Sequence, residues 1–83
     1  MLPFEVQLKP GLPISEQICF AVRRAVVSGR MKPGDKFPSV RQISQELSIN
    51  PNTAHKVMSA LIGEGLLVAT PAVGAFVAEP ASG

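Results

Sequence analysis

Residues 39–61 read SVRQISQELSINPNTAHKVMSAL, and the proline near their centre decides the fold. Pro51 stands between Asn50 and Asn52, and apolar residues at helical spacing begin straight after it. Inside a helix a proline removes one hydrogen bond and clashes with the preceding turn. At the first helical position its missing N–H costs nothing and its φ is already set. Asn is a favoured N-cap, because its side-chain oxygen accepts from a free N–H of the first turn. The stretch therefore predicts a helix that starts at Pro51 under an Asn50 cap. Its expected buried stripe is Ala54, Val57, Met58, Leu61 and Ile62. Asn52, Thr53, His55, Lys56 and Ser59 are left on or beside the open face, and Gly63 and Gly65 mark the end.

The preceding segment predicts another helix. Ser39 followed three residues later by Gln42 is a capping-box pattern, and Val40, Ile43 and Leu47 form a stripe over about nine residues. Ser48 and Ile49 leave only a tight link to the Pro51 helix. Further upstream, Pro33-Gly34 is a turn signal, and Lys36-Phe37 is a short strand-like segment. Residues 13–29, PISEQICFAVRRAVVSG, carry Ile14, Ile18, Ala21, Val22, Ala25 and Val26 at helical spacing. Pro13 fits the first turn and Gly29 the stop. Downstream, LLVAT (66–70) and GAFVA (74–78) are two strands joined by 71–73, a hairpin. FEVQL (4–8) alternates in the manner of a short strand or an extended arm.

These elements predict a mainly α fold with a β-hairpin. It is a winged helix-turn-helix of three helices and a two-stranded wing, with room for a short extra strand at 36–37. The expected organisation is an N-terminal arm or short strand over 1–12, the winged domain over 13–78 and a frayed tail over 79–83.

Composition agrees with one small folded domain. The chain has 83 residues, of which 46% are apolar, enough to fold rather than stay disordered. All eight Lys and Arg lie at or before Lys56, so residues 1–56 carry +4 and residues 57–83, with Glu64 and Glu79, carry −2. A basic first part suits a polyanion, although an ordinary solvated surface gives the same balance. The single cysteine, Cys19, excludes an internal disulfide and falls in an apolar helical pattern, as a small buried hydrophobe does. No residue grouping suggests a metal site or a cofactor site. No apolar run approaches the ~20 residues that span a bilayer, so a cytoplasmic protein without membrane contact is expected.

In a helix-turn-helix the second helix enters the major groove with its N-terminal residues at the base edges. Here that helix starts NPNTAHK, small, polar and mildly basic. Asn pairs with adenine in bidentate fashion, and Thr or His bonds several edges. Free N–H groups at a helix start also hold phosphate. Arg41, two residues past the Ser39 cap, is placed to reach the DNA backbone or a guanine. Each residue has a plainer reading too: Arg41, His55 and Lys56 as solvated surface, Asn50 as a cap alone.

PGDKFPSVRQISQELSINPNTAHKVMSALIGEGLL resembles the GntR family of bacterial winged-helix regulators. Pro33, Gly34, Pro38, Ser39 and Arg41 match the family's Pro-Gly-x-x-Leu-Pro-Ser-x-Arg, with Phe37 in place of leucine. Leu61, Gly65, Leu66, Gly74, Phe76 and Val77 match its later part. The Asn-Pro-Asn-Thr start is most like the YtrA subfamily. The resemblance implies that Arg41 contacts DNA, with Ser39 beside it. It implies that Asn52, Thr53 and His55 contact bases or phosphates, and that Gly74 approaches the minor groove from the wing tip. Lys56, by its charge and place on the open face, is expected to take a phosphate. The family's wing often reads Arg-x-Gly-x-Gly. Here those positions are Thr70, Ala72 and Gly74, so the wing has no positive charge. Family members also carry a C-terminal region that binds an effector or holds a dimer, and no effector site is visible in these residues.

The expected function is sequence-specific binding of double-stranded DNA, as the DNA-binding domain of a bacterial repressor acting as a homodimer on an inverted repeat. The alternative is a winged-helix module for protein–protein contact, which the apolar Pro71, Ala72 and Val73 suit. An enzyme is not expected, because one His, one Cys and no clustered carboxylates leave no converging polar groups.

Overall fold

A computed structural model describes residues 2–78. Its elements run α1 (Ile14–Val27), β1 (Lys36–Phe37), α2 (Val40–Leu47), α3 (Pro51–Gly63), β2 (Leu67–Thr70) and β3 (Gly74–Val77). The expected tail, 79–83, lies outside the described residues. Among the described residues no helix is long and apolar enough to cross a membrane.

Each helix end has a local cause. Pro13 is the N-cap of α1, one position earlier than its expected place in the first turn, because its ψ of 131° is not helical. Gly29 stops α1 at φ +85°, and its N–H turns back to Val26 O at 3.2 Å. At α2 the Ser39 hydroxyl accepts from Gln42 N–H at 3.1 Å. The expected return bond of the capping box is not made. Gln42 Nε2 instead donates to Glu46 Oε2 at 2.9 Å, a neighbour one turn on. Ser48 then takes a left-handed φ of 55°, and Ile49 N–H closes on Ser44 O at 3.0 Å. This makes the turn between α2 and α3 short and closed by a backbone hydrogen bond. α3 ends in a Schellman motif: Leu66 N–H bonds Leu61 O and Gly65 N–H bonds Ile62 O, each at 3.0 Å, with Gly65 at φ +83°.

The three strands form one antiparallel sheet in the order β1-β3-β2. β2 and β3 are the hairpin, with Thr70 opposite Gly74. β1 lies on the other side of β3, Lys36 opposite Phe76 and Phe37 opposite Ala75. Gly34 N–H to Val77 O and Val77 N–H to Asp35 O, both 2.9 Å, extend that pairing. The expected extra segment at 36–37 is therefore a true strand of the wing sheet.

The core lies where α1, α2, α3 and the inner sheet face meet. Ile18, Val22, Ile43, Ala54, Val57 and Leu61 are fully buried, joined by Phe37, Leu67, Ala75 and Val77. Burying such a Val, Leu or Ile contributes on the order of 1.5–3 kcal/mol. Cys19 is buried here too, and burial pushes its thiol pKa up. Two apolar residues depart from expectation. Ile62 is 38% exposed, because one step past Leu61 turns it towards the side of His55. Ile14 is 39% exposed at the first position of α1. Residues 4–8 form no strand. Their alternation instead places Phe4 in the core, where its ring stacks on Phe37 at 5.8 Å between centroids.

Candidate nucleic-acid interface

α3 is held by α1, α2 and β2, which leaves one stripe of it uncovered. Ala54, Val57 and Leu61 face inward and are buried. Asn52, His55, Lys56 and Ser59 are exposed, and their spacing of three, four and seven puts them in one row opposite the buried stripe. Thr53 is half-buried, so it flanks the row rather than belonging to it.

The start of α3 differs from expectation in one respect. Asn50 Oδ1 accepts from Asn52 N–H at 2.8 Å, as a cap should. The Thr53 and Ala54 amides both donate to Asn50 O, at 2.9 and 3.2 Å, and Pro51 has no N–H. The first turn of α3 thus has no spare backbone N–H for a phosphate. Its positive dipole end remains. At α2 the cap hydroxyl of Ser39 takes Gln42 N–H and Ser39 O takes Ile43 N–H at 2.9 Å. The amides of Val40 and Arg41 have no partner among the described residues. A phosphate would find its backbone donors there, beside the exposed Arg41 side chain and the exposed Ser39.

Gly74 is exposed at the end of the wing, with φ +123°. The wing turn before it runs through Ala72 at φ +66°, and Val73 N–H bonds Thr70 O at 3.2 Å. One residue outside the sequence-derived set lies beside Gly74. A methyl group at Gly74 would meet Lys36 Cε at 3.8 Å, so the Lys36 stem runs along the wing towards its tip. No local signal pointed to it, since it comes to the wing only through the pairing of β1 with β3.

The model of the gntR family of bacterial regulatory proteins matches residues 14–77, from the start of α1 to the end of β3. The chain belongs to the GntR family. Its winged helix-turn-helix is that of the family's DNA-binding domains. The transcriptional repressor YtrA of Bacillus subtilis is 37% identical over 78 residues, which cover 92% of this chain and 60% of that protein. The structure of YtrA from Sulfolobus acidocaldarius, a GntR-family transcription factor, matches with a TM-score of 0.78 at 30% identity, over 92% of this chain and 64% of that one. These two likenesses support the YtrA subfamily. The DNA-binding domain of AraR in complex with operator ORX1 matches with a TM-score of 0.79 at 25% identity, over 89% of this chain and 95% of that one. The chain spans about three fifths of the length of YtrA and of the regulator YhcF of Bacillus subtilis, and 28% of the histidine utilization repressor of Klebsiella aerogenes.

Proposed function

We propose that this GntR-family domain binds double-stranded DNA sequence-specifically through α3, within a cytoplasmic bacterial transcription repressor that acts as a homodimer on an inverted repeat. The observation that carries the reading is the exposed row Asn52, His55, Lys56 and Ser59 on a helix whose other faces are held by the core. Asn52 and His55 read base edges, Thr53 supports them from the flank, and Lys56 takes a phosphate. Arg41, with Ser39 and the open amides of α2, fixes the backbone or a guanine. Gly74 lets the wing approach the minor groove closely. Support comes from the relatives, since YtrA of Bacillus subtilis is named a transcriptional repressor and the AraR domain is described with its operator. DNA occupancy is the whole mechanism, with no catalytic step, cofactor or metal.

Selection of bound duplexes from a random-sequence pool at moderate salt tests it. Enrichment of an inverted repeat is expected, with half-sites about one helical turn apart, or a multiple of it. Recovery of unenriched DNA sinks the sequence-reading function. A protein-contact role through the wing, where Val68 and Val73 are each 52% exposed, would then take its place.

A further inference from the structure

The wing strands and their turn, residues 66–78, contain no Lys or Arg. A wing without a cation has little to hold it against a phosphate backbone. The sheet supplies one from elsewhere in the chain. β1 is the edge strand beside β3, and Lys36 is exposed opposite Phe76. Along β3, Ala75 and Val77 point into the core, so Gly74 and Phe76 share the outer face. Lys36 stands on that same outer face, since its neighbour Phe37 points inward. Its Cε lies 3.8 Å from where a Gly74 methyl would be. Among the described residues no carboxylate forms an ion pair with Lys36. The nearest acid in sequence, Asp35, has Oδ2 engaged by Lys32 N–H at 2.9 Å.

We infer that Lys36 is the phosphate-binding cation of the wing, holding the DNA backbone beside Gly74. The inference rests on the DNA-binding reading and adds a contact to it. A short edge strand brings the charge that the hairpin lacks, and the bare backbone of Gly74 gives the stem room to lie flat. The contact is with a phosphate, so it adds affinity on any duplex and carries no base preference. Lys36 is three residues before Ser39. The same short segment therefore delivers both the wing cation and the start of α2.

The test compares wild type with Lys36→Met, which keeps the stem and removes the charge. Each is titrated with the duplex recovered by selection and with a shuffled duplex, over roughly 50–200 mM salt. The expected result is a slope of log affinity on log salt shallower by about 0.9 on both duplexes. Over that range the variant loses about threefold less affinity than wild type. Lys36→Arg should keep the wild-type slope. Should Lys36→Met lower the melting midpoint, Lys36→Gln removes the charge with a polar head and is read in the same way. An unchanged slope in the folded, uncharged variant overturns the inference while leaving sequence-specific binding intact. A changed base preference also overturns it, since Lys36 would then touch a base. If wild type binds neither duplex, the DNA-binding reading itself falls, and this contact with it.

Discussion

Arg23 and Glu64 clamp the first helix to the end of the third with a two-pronged ion pair. Arg23 Nε donates to Glu64 Oε1 at 2.7 Å and Nη2 to Oε2 at 2.5 Å. Arg23 lies in the second half of α1, and Glu64 is the C-cap of α3. The fork of the guanidinium matches the carboxylate, so the pair fixes orientation as well as distance. Both side chains remain substantially exposed, and solvent screens their attraction.

The first prediction concerns pH. The hydrogen bonds from Arg23 hold the Glu64 pKa below its ordinary value of 4.5. A lowered folded pKa stabilises the fold above the unfolded value, and that contribution is lost as pH falls through the folded one. Glu64→Gln should therefore melt slightly below wild type at neutral pH, with the two midpoints converging in acid. Melting curves from neutral to strongly acid pH check this. A gap that persists at low pH would assign the loss to packing rather than charge.

Arg41→Ala should weaken specific DNA binding by roughly 1–3 kcal/mol if the guanidinium forks onto a guanine. Arg41 is exposed and leaves the core untouched, so the melting midpoint should hold. Titration of the selected duplex measures the effect. Unchanged affinity makes Arg41 an ordinary surface residue.

Asn50→Ala should cost about 1 kcal/mol of stability, because Asn52 N–H loses the oxygen that caps it. Base preference should stay as in wild type, since Asn50 Oδ1 is already engaged by that amide. Denaturant unfolding gives the first quantity and repeated selection the second. A shifted consensus would show that Asn50 reads DNA.

Ser48→Gly should stabilise the domain by up to about 1 kcal/mol. Ser48 holds a left-handed φ of 55° between α2 and α3, where a β-carbon crowds the backbone. Against this gain stands the greater freedom of glycine in the unfolded chain. A clear loss of stability on denaturant unfolding would mean that the turn needs the stiffness of serine more than relief from strain.

Much of the fold was legible because its signals are local. The Asn50 cap, Pro51 at the first helical position and the Gly29 and Gly65 stops each act within a few residues. The capping box was half right. Ser39 caps α2, but Gln42 instead bonds Glu46, four residues on along the helix surface. Ile62 was misplaced because a stripe of threes and fours tolerates one extra apolar neighbour on its flank. The alternation in 4–8 fits a short strand or an extended arm, since it places Phe4 inward; among the described residues no strand pairs with it, so the strand alternative fails. In the candidate site, the exposed row on α3 followed from the 3.6-residue period. The full use of the α3 amides did not, because it depends on how Asn50 O is shared.

By itself the sequence determined three helices, the Ser39 and Asn50 caps, the short link of the helix-turn-helix and the hairpin that follows. All of these depend on backbone preferences and side-chain periods that operate over one or two turns. Only the tertiary structure decided which distant segments meet: Phe4 on Phe37, Arg23 on Glu64, and Lys36 beside Gly74. Those meetings span tens of residues. They are set by how the helices and the sheet bury one shared core, which no local pattern encodes.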